Sequence, residues 1–180
     1  MLAGSDIRVR TLAEFPGTPE VIEDGTTCEA NAVKKAVSAA KHTGLVAVAD
    51  DTGLMVDVLN GRPGIYAARY AGEHATYEDN WRKLLSELNG VPKALRTARF
   101  VTVAAIVRPN GEKTEIVEGV LDGLIAEAPA GDQGFGYDPV FIVPELNRTL
   151  AQLTAEEKNR LSHRARAFAK VRQILSQGGF

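Results

Sequence analysis

Two aspartates stand side by side at Asp50-Asp51, with Thr52 and Gly53 after them and the apolar run 45–49 before them. A β-type run ending in paired carboxylates and a glycine puts two anions at the open end of a sheet, where hard cations and phosphorylated ligands are held. Adjacent carboxylates repel, so keeping both charged calls for a counter-charge, and Mg²⁺ is the common one. Asp-Thr-Gly is equally ordinary turn chemistry, and taken alone the stretch favours the turn. Three further segments reverse that order.

The first is 130–139, where Gly131, Gly134 and Gly136 let backbone approach a ligand, Phe135 and Tyr137 offer stacking surfaces, and Asp138 offers an acceptor. The second is Lys158 with Ser162-His163-Arg164. Ser162 suits a helix N-cap, which sets the donors of His163 and Arg164 beside the unpaired N–H groups of a first turn, an arrangement that favours an anion or a carbonyl. The third is Glu23-Asp24-Gly25, followed by Lys34-Lys35. A carboxylate there could complete a magnesium shell begun by Asp51, and a lysine could meet a phosphate oxygen. Each segment has a plainer alternative: a flexible hairpin loop, a solvated basic patch, a solvated acidic loop. The chain carries no H-E-x-x-H, Walker A or G-x-S-x-G motif, and its histidines (His42, His74, His163) are scattered.

The elements that must position these groups alternate between strand and helix. Residues 7–12 alternate apolar and basic as a half-buried strand does. Residues 28–42 read as a helix with Ala30, Val33, Ala36, Val37 and Ala40 on one face. Run 45–49 reads as a buried strand, and after the Asp-Asp turn Leu54, Val56 and Val58 alternate in a second one. Residues 76–88 carry Trp81, Leu84, Leu85 and Leu88 at helical spacing. Strands are expected over 100–107 and 114–125, joined by a hairpin turn at Pro109-Asn110-Gly111. A short strand over 140–143 precedes a helical C-terminus that opens on the capping box Thr154…Glu157. The pattern is that of an α/β domain with a mixed sheet.

The 180-residue chain is long enough for a sizeable core in one domain, or in two lobes around one sheet. A formal charge of −2 with no Lys/Arg block argues against gripping polymeric nucleic acid. No apolar run reaches membrane-spanning length, and the first residues, Met1-Leu2-Ala3-Gly4-Ser5-Asp6, lack the signature of a signal peptide. The one cysteine, Cys28, excludes an internal disulfide and fits a reducing cytosol.

Taken together the segments resemble the inosine triphosphatase-like pyrophosphatases, or XTP/dITP diphosphatases. The matching strings run in that family's order: 23–25; 27–32 with Lys35; 49–54; 61–66 through Arg69-Tyr70; 134–139; and Leu153-Thr154 through Glu157-Lys158, then Ser162-His163-Arg164. The resemblance implies an elongated α/β fold of mixed sheet and flanking helices, with two lobes and a central cleft, assembled as a cytoplasmic homodimer. It implies Mg²⁺-dependent hydrolysis of deaminated purine nucleoside triphosphates (ITP, dITP, XTP) to monophosphate and pyrophosphate. Asp51 matches the proton acceptor and a metal ligand, Glu23 a second metal ligand, and Lys35 a phosphate-facing lysine. Thr52, Phe135, Gly136, Tyr137, Asp138, Lys158, His163 and Arg164 match substrate contacts. Members of the family open on an apolar strand and a T/S-x-N-x-x-K loop that grips the triphosphate. Met1-Leu2-Ala3-Gly4 resembles the end of the helix after that loop, so residues 1–180 are expected to form a single, N-terminally incomplete domain. Ala30 replaces an acidic residue and Thr52 a serine. Two alternatives follow: a nucleotide-binding or dimerising remnant without turnover, and a phosphatase with Asp50 or Asp51 as nucleophile.

Overall fold

The computed structural model describes residues 7–110 and 114–177. Thr27 is extended and its side chain accepts the Ala30 N–H, which starts α1 (Cys28–Thr43); Gly44, at φ +67°, closes that helix. Then come β1 (Ala47–Val56), β2 (Pro63–Gly64), α2 (Tyr77–Glu87), β3 (Thr97–Val107), β4 (Thr114–Ile125), β5 (Phe141–Val143), β6 (Arg148–Thr149), α3 (Ala155–Leu161) and α4 (His163–Ser176). Thr76 with Asp79, and Thr154 with Glu157, close capping boxes at the starts of α2 and α3. The strands form one sheet in the order β2-β1-β3-β4-β5-β6, antiparallel at β1/β2, β4/β5 and β5/β6. The α/β class expected above is the one observed. Among the described residues no helix is long and apolar enough to cross a membrane.

Three expectations are corrected. Residues 7–11 are not a strand: among the described residues no strand of the sheet pairs with them, Val9 stays 60% exposed, and Thr11 caps a single 3₁₀ turn, Leu12–Glu14. The Asp50-Asp51 stretch is not a turn; β1 runs unbroken through it. Gly53 serves close approach there, since a Cβ at that position would lie 3.1 Å from the Gly64 carbonyl oxygen and 2.9 Å from the Met55 methyl. On α1 the buried stripe is Cys28, Asn31, Ala32, Ala36, Ala39 and Ala40, while Ala30 is exposed. The hairpin glycine Gly111 and residues 1–4 lie outside the described residues.

The chain divides into two compact units: Met1–Asp51, Thr102–Gly119 and Arg164–Phe180 in the first, Thr52–Val101 and Val120–His163 in the second. In the first, α1 lays Ala32, Ala36 and Ala40 on Ala47, Ala49, Ala105 and Val107. Its other layer packs Val171, Ile174 and Leu175 of α4 on Val48, Ala104, Ile106 and Val117. Over residues 47–51 of β1, odd-numbered residues thus face α1 and even-numbered ones face α4, as a period of two requires. The second unit is built on larger side chains, with Leu54, Leu84, Leu88, Phe141, Leu150 and Leu153 fully buried.

Candidate active site

Because β1 is continuous at Asp50-Asp51, the strand separates the two carboxylates that a turn would have left side by side. Asp50 points to the α4 layer, where its Oδ2 accepts from Arg164 Nε at 2.9 Å. Asp51 points to the α1 layer, where Oδ1 lies 3.2 Å from Lys35 Nζ and Oδ2 accepts from Asn31 Nδ2 at 3.3 Å. Mutual repulsion is relieved by giving each anion its own partners on opposite faces. The sequence reading counted both as one cluster; the structure keeps only Asp51 beside Lys35.

Cys28, Asn31 and Lys35 sit at i, i+3 and i+7 on α1, one stripe of the helix, and all three meet Asp51. The Lys35 ammonium also donates to Glu23 Oε2 at 3.0 Å, so one cation is shared by two carboxylates from two different segments. Burial works against that charge, but the bonds from Glu23 and Asp51 and their negative charge prevail and raise the lysine above its ordinary value. Burial, and then the Asp51 charge and hydrogen bond, push the Cys28 thiol up to about 12, so it is no nucleophile. Asp24 pairs instead with Lys34 at 2.6 Å on the exposed side. An apolar groove of about 700 Å³ in this unit is bordered at one point by Glu23 and Lys35.

In the second unit the glycine-rich segment is folded on itself. Asp138, 7% exposed, accepts from the Phe135 N–H at 3.2 Å and from Lys158 Nζ, which joins the loop to α3. Gly134 is at φ +88°, and a Cβ there would fall 2.0 Å from Asp138 Oδ2 and 2.3 Å from Lys158 Nζ. Only glycine fits. Phe135 presents 57% of its surface, its ring 6.2 Å from that of Tyr77. Gly136, at φ +62°, has open space where a side chain would project. Tyr137 is different from its neighbours: it lies in the core, its hydroxyl donates to the Ala67 carbonyl at 2.9 Å, and burial raises its pKa. His163 stacks on Phe100 at 4.5 Å. Thr52 follows Asp51 within β1, half-buried.

Thus the structure brings Glu23, Lys35 and Asp51 together, and separately Phe135, Asp138 and Lys158. Arg164 is joined to Asp50, while Tyr137 belongs to the core. Asn31 was missed as a site residue, and so was the partnership of Asp50. The i, i+3, i+7 stripe of Cys28, Asn31 and Lys35 is the signal that could have found Asn31.

A model described as the Ham1 family matches residues 1–174. A curated relative from Lactiplantibacillus plantarum, named dITP/XTP pyrophosphatase, is 50% identical over 177 residues, covering 98% of this chain and 85% of its own. A solved HAM1 protein from Coxiella burnetii superposes with a TM-score of 0.90 at 40% identity, covering 98% of this chain and 90% of that one. The solved nucleoside-triphosphatase, or dITP/XTP pyrophosphatase, from Mycobacterium abscessus gives 0.76 at 45% identity, over 93% and 85%.

Proposed function

This chain belongs to the Ham1 family, and from that premise we propose that it is a dITP/XTP pyrophosphatase. It hydrolyses deaminated purine nucleoside triphosphates (ITP, dITP, XTP) between the α and β phosphorus and clears them from the nucleotide pool. The observation that carries the reading is one half-buried ammonium, Lys35, held between the carboxylates of Glu23 and Asp51.

Asp51, held by Asn31, accepts a proton from the water that attacks the α-phosphorus. The new P–O bond forms as the bond from that phosphorus to the α,β-bridging oxygen breaks, so the monophosphate keeps the water oxygen and pyrophosphate leaves. Among the described residues no three His, Cys, Asp or Glu side chains converge as a ready-made metal cage. Two carboxylates fit Mg²⁺ nevertheless, because this ion commonly takes one or two protein carboxylates and fills its shell with water and substrate phosphate. Asp51 and Glu23 would hold it, and it would neutralise the triphosphate and polarise the phosphoryl oxygens. Lys35, set beside both carboxylates, would meet a phosphate oxygen as a point charge.

Phe135 stacks on the base. Arg164, a donor that cannot accept, suits a 6-oxo group and opposes the 6-amino group of adenine. Misplacing donor against donor costs about 10²-fold or more in discrimination. Thr52, Gly136, Asp138, Lys158 and His163 complete the substrate contacts, with Tyr137 supporting the loop from beneath. The resemblance extends the reading to a cytoplasmic homodimer.

The test is product analysis by phosphorus NMR with Mg²⁺ and ITP, dITP, XTP or ATP. The expected products are monophosphate and pyrophosphate, with kcat/KM for ATP at least about 10²-fold lower. Orthophosphate with a nucleoside diphosphate, or a phospho-aspartate, would overturn it.

A further inference from the structure

Asn31 is a polar side chain only 2% exposed, set in a stripe of buried alanines. Both ends of its amide are used. Oδ1 accepts the backbone N–H of Gly25 at 2.8 Å, and Nδ2 donates to Asp51 Oδ2 at 3.3 Å. The partners fix which atom is which, since an N–H needs an acceptor and a carboxylate needs a donor. Gly25 sits so close that a Cβ there would lie 2.5 Å from Asn31 Oδ1. The loop carrying Glu23 is therefore seated on this amide, two residues after Glu23 itself.

We propose that Asn31 is a positioning residue for the reaction: it fixes the Asp51 carboxylate and the Glu23 loop in one register from a single rigid plane. The inference rests on the proposed role of Asp51. Its physical basis is charge. Lys35 holds the same two carboxylates, but a cation leaves when another cation or a phosphate arrives. Asn31 is neutral, so its bonds survive that exchange and keep Asp51 aimed while Lys35 changes partner. An aspartate in its place keeps an acceptor for Gly25 but turns a second carboxylate on Asp51; an alanine removes both links.

The experiment compares Asn31→Ala, Asn31→Asp and Gly25→Ala with the wild-type chain. Steady-state kinetics with ITP and Mg²⁺ are read with hydrogen exchange at the Gly25 amide and the Asp51 side-chain carboxyl ¹³C resonance. Each variant should lose roughly 10- to 100-fold in kcat, with KM within about threefold, as substitutions behind a working carboxylate do. Asn31→Ala should speed Gly25 exchange, and Asn31→Asp should leave it slow while still losing kcat. Gly25→Ala should reproduce the kcat loss with the Asn31 amide intact but displaced. The Asp51 resonance should move in all three. A lower unfolding midpoint with kcat per folded molecule unchanged would reduce Asn31 to a structural part and overturn the proposal. A wild-type chain that releases no pyrophosphate would count against the functional reading; an unmoved Asp51 resonance would then overturn the inference independently.

Discussion

The acidic cluster of the first unit and the glycine-aromatic loop of the second handle polar groups in opposite ways. In the cluster, Lys35 faces Glu23 and Asp51, and Arg164 faces Asp50, ion pairs whose members a charged ligand can replace, while Asn31 holds Asp51 by a neutral bond. In the loop, Asp138 is bound to backbone and to Lys158, and the Tyr137 hydroxyl to a carbonyl, so that the backbone is set before anything binds. Exchangeable ion pairs suit a site where charge arrives and moves; a locked loop suits recognition by shape, with Phe135 left presenting its ring.

Breaking the cluster should have the largest effect. Lys35→Met leaves two carboxylates without their common cation, and kcat/KM for ITP should fall about 10²-fold, in line with a lost charged hydrogen bond of roughly 1.5–3 kcal/mol. Unchanged kinetics would remove the lysine from the phosphate site. In the loop, Gly134→Ala combines a left-handed φ with a collision against Asp138 and should cost about 1–3 kcal/mol in denaturant unfolding. Its kcat, per folded molecule, should suffer less than its KM. Phe135→Ala should raise KM about tenfold at nearly constant kcat, because a stacked base is worth roughly 1–3 kcal/mol. An equal fall in kcat would place the ring in the chemistry and erase the distinction between the two regions.

The smallest effects are those of pH. In the cluster, Cys28 is raised by burial and by Asp51 from the ordinary 9.0 to about 12. A raised folded value gives stability that is complete below pH 9.0 and lost as pH climbs through about 12. Unfolding midpoints of the wild type should fall over that window, and Cys28→Ala should flatten the fall. In the second unit, the Arg148 guanidinium and then the Thr154 N–H lower Glu157 below its ordinary 4.5. That contribution is present above pH 4.5 and lost as pH drops through the folded value. Arg148→Met should lower stability above pH 4.5 and leave the acid limb, where Glu157 is protonated in both states, as it was.

Much of this was legible in the chain. The box Thr154…Glu157 marks the start of α3, and the apolar spacing after Thr76 marks α2. Residue type placed a carboxylate of Glu23-Asp24 and a lysine of Lys34-Lys35 with Asp51, and the family resemblance singled out Glu23 and Lys35. The error at Asp50-Asp51 came from Gly53, whose missing side chain reads as a turn but answers the close approach of the Gly64 backbone. Only the pairing of β1 with β2 reveals that. Alternation over residues 7–12 was real, yet a strand also needs a neighbour, and among the described residues none pairs there. Asn31 was hidden because an asparagine in a helix is unremarkable until its burial and its two partners are seen.

The most direct test of the account is to compare Asp51→Asn with Asp50→Asn, neighbours of identical type on opposite faces of one strand. Pyrophosphate release from ITP under saturating Mg²⁺ should fall roughly 10²- to 10⁴-fold in kcat for Asp51→Asn, the range of a lost general base. For Asp50→Asn, kcat should stay within about tenfold while KM and the preference for ITP over ATP shift, because that carboxylate meets Arg164. Turnover that survives Asp51→Asn, or collapses equally in both variants, would contradict the division of labour across β1.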